Sequence, residues 1–258
     1  MKLIKLMLFV CILSVTALAQ NNQKTLEKPF DKWSKEEAMK LISSKPFAEE
    51  FQSPIGSAGA TQTQQMREQI DTNISGNNRG RGAVISAPAP IVVRLHSGLP
   101  VRQAMVRLRQ IQAGYDKMKD EDRKKFDETQ KVLLDCPICK DYYVVTVTKF
   151  KDKSEAVDDG IFQTMKLEDF KGKVWLINEK DEKRELEQFT PPKMAGDSAV
   201  FYFKRMDDNS NLLLTTENKE LKFVFSNELL RNNAYSYLLQ RVFEFKVSKI
   251  IIDNRVEF

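Results

Sequence analysis

Three side chains stand out as able to do chemistry, Cys136, Cys139 and His96. Cys136-Pro137-Ile138-Cys139 has the two-residue spacing shared by redox-active dithiols and by half of a zinc site. In thiol–disulfide oxidoreductases the first cysteine opens a helix that follows a strand, and the helix N-terminus lowers the thiol pKa. Here the periodicity predicts a helix before the pair and a strand after it, so the thiolate would lack that support. Two readings follow. Cys136 and Cys139 form a structural disulfide, as an oxidising compartment would favour, contributing roughly 2 kcal/mol over so short a loop. Alternatively they are the redox pair of an extracytoplasmic thiol–disulfide oxidoreductase.

The other chemistries run short of residues. A structural zinc site takes about four protein ligands and a catalytic one about three. Cys136, Cys139 and His96, the single histidine of the chain, reach that number only with a carboxylate or a second chain. Lys140 stands where covalent haem attachment requires histidine. His96 is the sole base available to a nucleophile triad, yet it ends a predicted strand and no Gly-x-Ser-x-Gly turn occurs. Gly80-Arg81-Gly82 lacks the third glycine of a dinucleotide fingerprint, and neither a phosphate-cradling loop nor a His-Glu-x-x-His helix is present. A glycosidase pair is recognised by its spatial separation, so the many Asp and Glu residues take no role from spacing. No catalytic residue, metal ligand or cofactor is assigned.

The elements that would position these residues begin after an export signal. Lys2 and Lys5 precede an uncharged run, Leu6 to Ala19, and Ala17-Leu18-Ala19 has the small-x-small form cut by signal peptidase. Residues 1–19 are therefore expected to be removed, leaving a periplasmic or secreted protein. Cys11 lies inside the apolar run, away from the end of the signal where a lipid-attachment cysteine would stand. Cleavage would take the formal charge from +5 to +3, and the remaining charges are interspersed. Such a surface lacks the clustered basic footprint of a nucleic-acid binder. No second apolar run is long enough to span a bilayer.

Residues 28–52 read as a short helical segment. Ser34-Lys35-Glu36-Glu37 fits a capping box, and Trp33, Ala38, Leu41 and Ile42 share one side before Pro46, Phe47 and Phe51. A helix this short is marginal alone in water, so Trp33, Leu41, Ile42, Phe47 and Phe51 form a possible docking face, for the main domain or for an envelope protein or polymer. Residues 53–90, rich in Gly, Ser, Ala, Gln and Asn and ending in Ala87-Pro88-Ala89-Pro90, read as a flexible linker. Arg79 and Arg81 read as its solubilising charges.

The main domain, 91–258, opens with a strand at Ile91 to Leu95. Ser97-Gly98-Leu99-Pro100 then starts a helix whose Val101, Ala104, Met105, Leu108, Ile111, Tyr115 and Met118 form a core stripe, with Arg102, Arg107 and Arg109 on the other face. Gly114 is a break point. A second helix, Asp120 to Leu134, is expected to turn Phe126, Val132 and Leu133 inward. After Cys139 the period becomes two. Strands are expected at Tyr143 to Thr148, Lys173 to Asn178, Arg184 to Phe189, Ala199 to Arg205, Leu221 to Phe225, Val242 to Val247, Lys249 to Ile252 and Arg255 to Phe258. Asn227 to Gln240 fits helix or loop equally. The fold class is α+β, an antiparallel β-sandwich-like or twisted-sheet domain carrying a helical hairpin, with the short N-terminal helix on a flexible linker.

Trp33-Ser34-Lys35-Glu36-Glu37-Ala38, Ser44-Lys45-Pro46-Phe47-Ala48, Pro100-Val101-Arg102-Gln103-Ala104 and Ala199-Val200-Phe201-Tyr202-Phe203-Lys204-Arg205 together resemble a family of uncharacterised exported bacterial proteins. That family has a tryptophan-led N-terminal segment and a β-rich C-terminal half. Phe47 stands where the family more often carries tryptophan. The resemblance implies export and architecture, and brings no activity, cofactor or catalytic residue. The expected function is a non-enzymatic interaction or structural role in the cell envelope.

Overall fold

A computed structural model of the chain describes residues 24–51, 91–149, 162–194, 197–232, 242–247, 251–252 and 255–256. The expected signal peptide and linker lie outside the described residues, as do 233–240 of the segment that fitted helix or loop; within that segment Asn227–Asn232 is helical.

The structure mixes helices with one antiparallel sheet. In chain order the main elements are α1 (Lys35–Ser43), β1 (Ala48–Phe51), β2 (Ile91–Leu95), α2 (Leu99–Ala113), α3 (Asp120–Asp135), β3 (Tyr142–Lys149), α4 (Leu167–Phe170), β4 (Val174–Asn178), β5 (Lys183–Thr190), β6 (Ala199–Lys204), β7 (Leu221–Phe225), α5 (Asn227–Asn232) and β8 (Val242–Phe245). A separate two-residue pair, β9 (Ile251–Ile252) and β10 (Arg255–Val256), follows. The sheet has eight strands in the order β1-β2-β3-β6-β5-β4-β7-β8, every neighbour antiparallel.

In place of two facing sheets, a single sheet curls until its edges nearly meet. At the seam the Glu244 amide of β8 donates to Glu49 Oε2 of β1 at 2.7 Å, and the Phe51 and Phe243 rings meet edge to face at 6.4 Å. The period-two alternation supplies the reason. It places Phe201 and Phe203 of β6, Phe223 and Phe225 of β7, and Phe243 and Phe245 of β8 on one face, all fully buried. Their rings pack together in the interior, Phe201 of β6 against Phe223 of β7 at 5.3 Å and, along β7 itself, Phe223 against Phe225 at 4.8 Å. Side chains can just fill the interior of a curled sheet of about eight strands. A register shift in β5 between Leu186 and Gln188 adds the local bend that such irregularities give.

The N-terminal segment departs from the helical reading at its end. Its capping box is formed, with Ser34 Oγ accepting from the Glu37 amide at 3.1 Å and Glu37 Oε2 accepting from the Ser34 amide at 2.9 Å. After α1, however, Ala48–Phe51 is a strand, paired residue by residue with β2 from Ala48 opposite Arg94 to Phe51 opposite Ile91. A four-residue stretch carries little periodicity of its own, and the free edge of β2 supplies its backbone partners. Trp33, Leu41, Ile42 and Phe47 belong to the same apolar cluster as Val93, Leu95, Val101, Ala104, Tyr143 and the sheet aromatics, with Phe51 packed against it.

Two helix faces also differ from expectation. On α2, Arg102 and Arg107 are buried, whereas Met105, Leu108 and Ile111 are only half-buried. The helix is flanked by α1 as well as α3, and Arg107 bonds the Trp33 carbonyl just ahead of α1 while Arg102 bonds the Leu134 carbonyl of α3. On α3 the expected inward residue Val132 is 73 % exposed, and Gln130 is the buried one. Gly114 does end α2, in the left-handed region at φ 70°, where glycine carries no Cβ penalty.

Candidate functional site

The end of β2 and the two helices of the hairpin enclose a cleft of about 350 Å³, open to solvent and walled by His96, Arg109, Thr129, Val132, Leu133 and Cys136. His96 is placed there by the tight exit from β2. The Gly98 amide bonds the Leu95 carbonyl at 3.1 Å, and a Cβ at Gly98 would stand only 3.2 Å from that oxygen, so glycine suits this turn.

Arg109 reaches the cleft from α2. Its Nη1 donates to Gln130 Oε1 at 2.8 Å, Gln130 Nε2 donates to Thr129 Oγ1 at 2.9 Å, and Thr129 Oγ1 donates to the Phe126 carbonyl at 2.6 Å. This relay fixes the guanidinium against α3 while using one of its five N–H donors. Among the described residues no carboxylate lines the cleft and no ion pair includes Arg109.

His96 sits in a cationic neighbourhood. Burial first, and then the charges of Arg102, Arg94 and Arg109, push its pKa down to about 4. The imidazole is therefore neutral at ordinary pH, with one N–H donor and one acceptor. Arg102 donates through Nε to the Leu134 carbonyl at 3.1 Å and through Nη1 to the Ser97 carbonyl. Arg94 donates through Nε to the Ile42 carbonyl and through Nη1 to Thr148 Oγ1 at 3.0 Å. Burial lowers the Arg94 pKa to about 10, which leaves it charged.

Cys136 and Cys139 are joined in a disulfide, with their Cα atoms 5.3 Å apart. Cys136 ends α3 in the left-handed region at φ 39°, and Pro137–Lys140 forms one 3-10 turn that leads into β3. The helix precedes the pair and the strand follows it, as the periodicity predicted. Both residues are buried, 7 % and 3 % exposed, against Val144 with Tyr142, Val200 and Tyr202 alongside. The bond thus closes the turn at the end of α3, and that turn packs on the face of β3 and β6 opposite the aromatic core.

The structure brings His96 and Cys136 together in one cleft and places the docking-face residues elsewhere. Trp33, Leu41, Ile42 and Phe47 are buried in the main core cluster, and Phe51 is half-buried at the sheet seam. Arg109 is exposed, as its place on the outer face of α2 predicted, and what the sequence does not show is its bond to Gln130. The Thr129-Gln130 pair that orients it lies about 20 residues away, and no local motif links them. Among the described residues no helix is long and apolar enough to cross a membrane. Comparison with known proteins finds no matching family model, no similar curated protein and no similar solved structure.

Proposed function

We propose that this chain is an exported, non-enzymatic interaction or structural protein of the cell envelope. The observation that carries the reading is the position of the disulfide. Both cysteines are buried and packed on Val144, and their bond closes the turn between a helix end and the strand that follows. A catalytic pair would instead present its first cysteine at a helix N-terminus with access for a partner thiol. The curled sheet adds support, because its interior is occupied by Phe201, Phe203, Phe223, Phe225, Phe243 and Phe245, which directs any binding to the outer surface. Export rests on the Lys2-to-Ala19 signal pattern and on the resemblance to exported proteins. The test uses the mature protein against the envelope fraction and a panel of wall glycans. Recovery of a saturable partner without turnover is expected; turnover of a glycan with no partner recovered would sink the reading.

One observation favours a second reading, an extracytoplasmic thiol–disulfide oxidoreductase. Cys136 forms part of the wall of the cleft that also holds His96 and Arg109, and a nearby cation lowers a thiol pKa. Turnover of a small disulfide substrate by the reduced protein would raise this reading above the first.

A further inference from the structure

We propose that the cleft between α2 and α3 is a binding site for an oxyanion, a carboxylate or a phosphate, carried on a short apolar group. The inference stands wherever the protein resides, since it rests on the cleft alone. Three observations carry it. The first is an oriented cation without a counter-charge. Arg109 is held by Gln130 at 2.8 Å and, among the described residues, makes no other hydrogen bond and meets no carboxylate in the cleft wall. A guanidinium in that state matches the paired oxygens of a carboxylate or phosphate.

The second is the composition of the remaining wall. Val132 is 73 % exposed, Leu133 is half-buried and Cys136 contributes its half of a disulfide, which is apolar. An exposed valine beside a fixed arginine gives the cleft one charged end and one greasy side, the pairing an amphiphilic anion requires. The volume, about 350 Å³, falls at the small end of ligand pockets, which begin near roughly 300 Å³. The third is His96. It stands in the cleft wall, where as a neutral imidazole it offers one N–H donor, and the charges of Arg102, Arg94 and Arg109 acting on it bias the local potential toward anions.

His96 is also the only histidine of the chain, so its imidazole carbon–proton signals report this cleft alone. The experiment titrates the full-length mature protein with hexanoate, hexyl phosphate, hexan-1-ol, hexylamine and inorganic phosphate, following those signals. Saturable shifts are expected with hexanoate and hexyl phosphate at millimolar concentration, the tighter of the two identifying the headgroup. In R109Q, whose side chain is exposed, affinity for both should fall by roughly tenfold or more, the effect of losing a charged hydrogen-bond donor. In V132S affinity for the hexyl ligands should fall as well, while the folded spectrum is retained. The proposal is overturned if neither anion shifts the signals, if hexan-1-ol or hexylamine binds as well as hexanoate, if inorganic phosphate binds as tightly as hexyl phosphate, or if R109Q leaves both affinities unchanged.

Discussion

Arg107 Nε, in the middle of α2, donates to the backbone carbonyl of Trp33 at 2.8 Å, joining groups 74 residues apart in sequence. Two other buried arginines act in the same way. Arg94 reaches Ile42 in the last turn of α1, and Arg102 reaches Leu134 in the last turn of α3. Carbonyls of a final helical turn have no partner within their own helix, and a cation is favoured there by the helix dipole. Arg94 and Arg102 therefore satisfy helix-end carbonyls, whereas Arg107 bonds the carbonyl of Trp33 just ahead of α1, and each arginine fixes one segment against the β2–α2 unit.

Replacing Arg107 with Leu should destabilise the fold by roughly 1.5 to 3 kcal/mol, the range for a hydrogen bond to a charged group. Urea unfolding followed by tryptophan fluorescence measures this, with exposed R109Q as a control expected to stay within about 0.5 kcal/mol of the parent. An R107L protein as stable as the parent would mean that the Trp33 carbonyl finds another donor.

How much of this was legible in the sequence varied with the physics involved. The inward aromatics were legible because Phe201 and Phe203 obey the strand period, which local sequence encodes. The curl of the sheet was not, since it depends on the meeting of β1 and β8, about 190 residues apart. Arg102 and Arg107 looked like surface residues because charge in a helical pattern normally marks the solvated face; their acceptors, Leu134 and Trp33, lie in other elements. Val132 misled for the converse reason. Its spacing suited an inward face, and only the packing of α3 leaves it exposed. In the cleft, Cys136 and His96 could be named as reactive types, but their proximity is a product of the hairpin and had no signal in spacing.

Phe51 and Ile91 are direct partners across β1 and β2, so the expected linker joins chain ends that already lie side by side. Replacing residues 53–90 with a tight polar turn should preserve the fold and stabilise it. Three halvings of loop length, at about 0.6 kcal/mol each, give roughly 2 kcal/mol. Protease cutting within 53–90 should likewise leave the N-terminal fragment bound through gel filtration, because Trp33, Leu41 and Phe47 share the common core. A fragment that elutes alone would contradict this.

His96 makes stability depend on pH in a stated direction. The unfolded chain binds its proton as pH falls through about 6.5, whereas the folded chain resists until about 4. Between those values the unfolded state holds more protons, so stability declines as pH falls, by at most about 1.4 kcal/mol per unit. Comparing urea midpoints of the parent and H96N from pH 7 to pH 4 isolates this contribution. The parent should lose stability more steeply than H96N within that window. Equal slopes, or an imidazole midpoint near 6.5 in the folded protein, would contradict the assignment.

At the sheet seam, Glu49 Oε2 accepts from the Glu244 amide in place of a strand neighbour. Glu49→Ala should leave that amide without its acceptor and speed its hydrogen exchange, while amides in β3 and β6 exchange as before. Unchanged protection at Glu244 would show that the seam is held by other contacts, such as the Phe51 and Phe243 rings.

The reading of this chain as a non-enzymatic module turns on the Cys136–Cys139 bond, and its reduction potential is the most direct measurement. Equilibration of the mature protein with a graded thiol–disulfide buffer, trapped by alkylation, gives that value. A buried structural bond should show a potential below about −300 mV, with Cys136 slow to alkylate after reduction. A potential within the range of catalytic pairs, roughly −270 to −120 mV, together with a fast-alkylating Cys136, would contradict the structural role and make the cleft beside His96 and Arg109 a redox site.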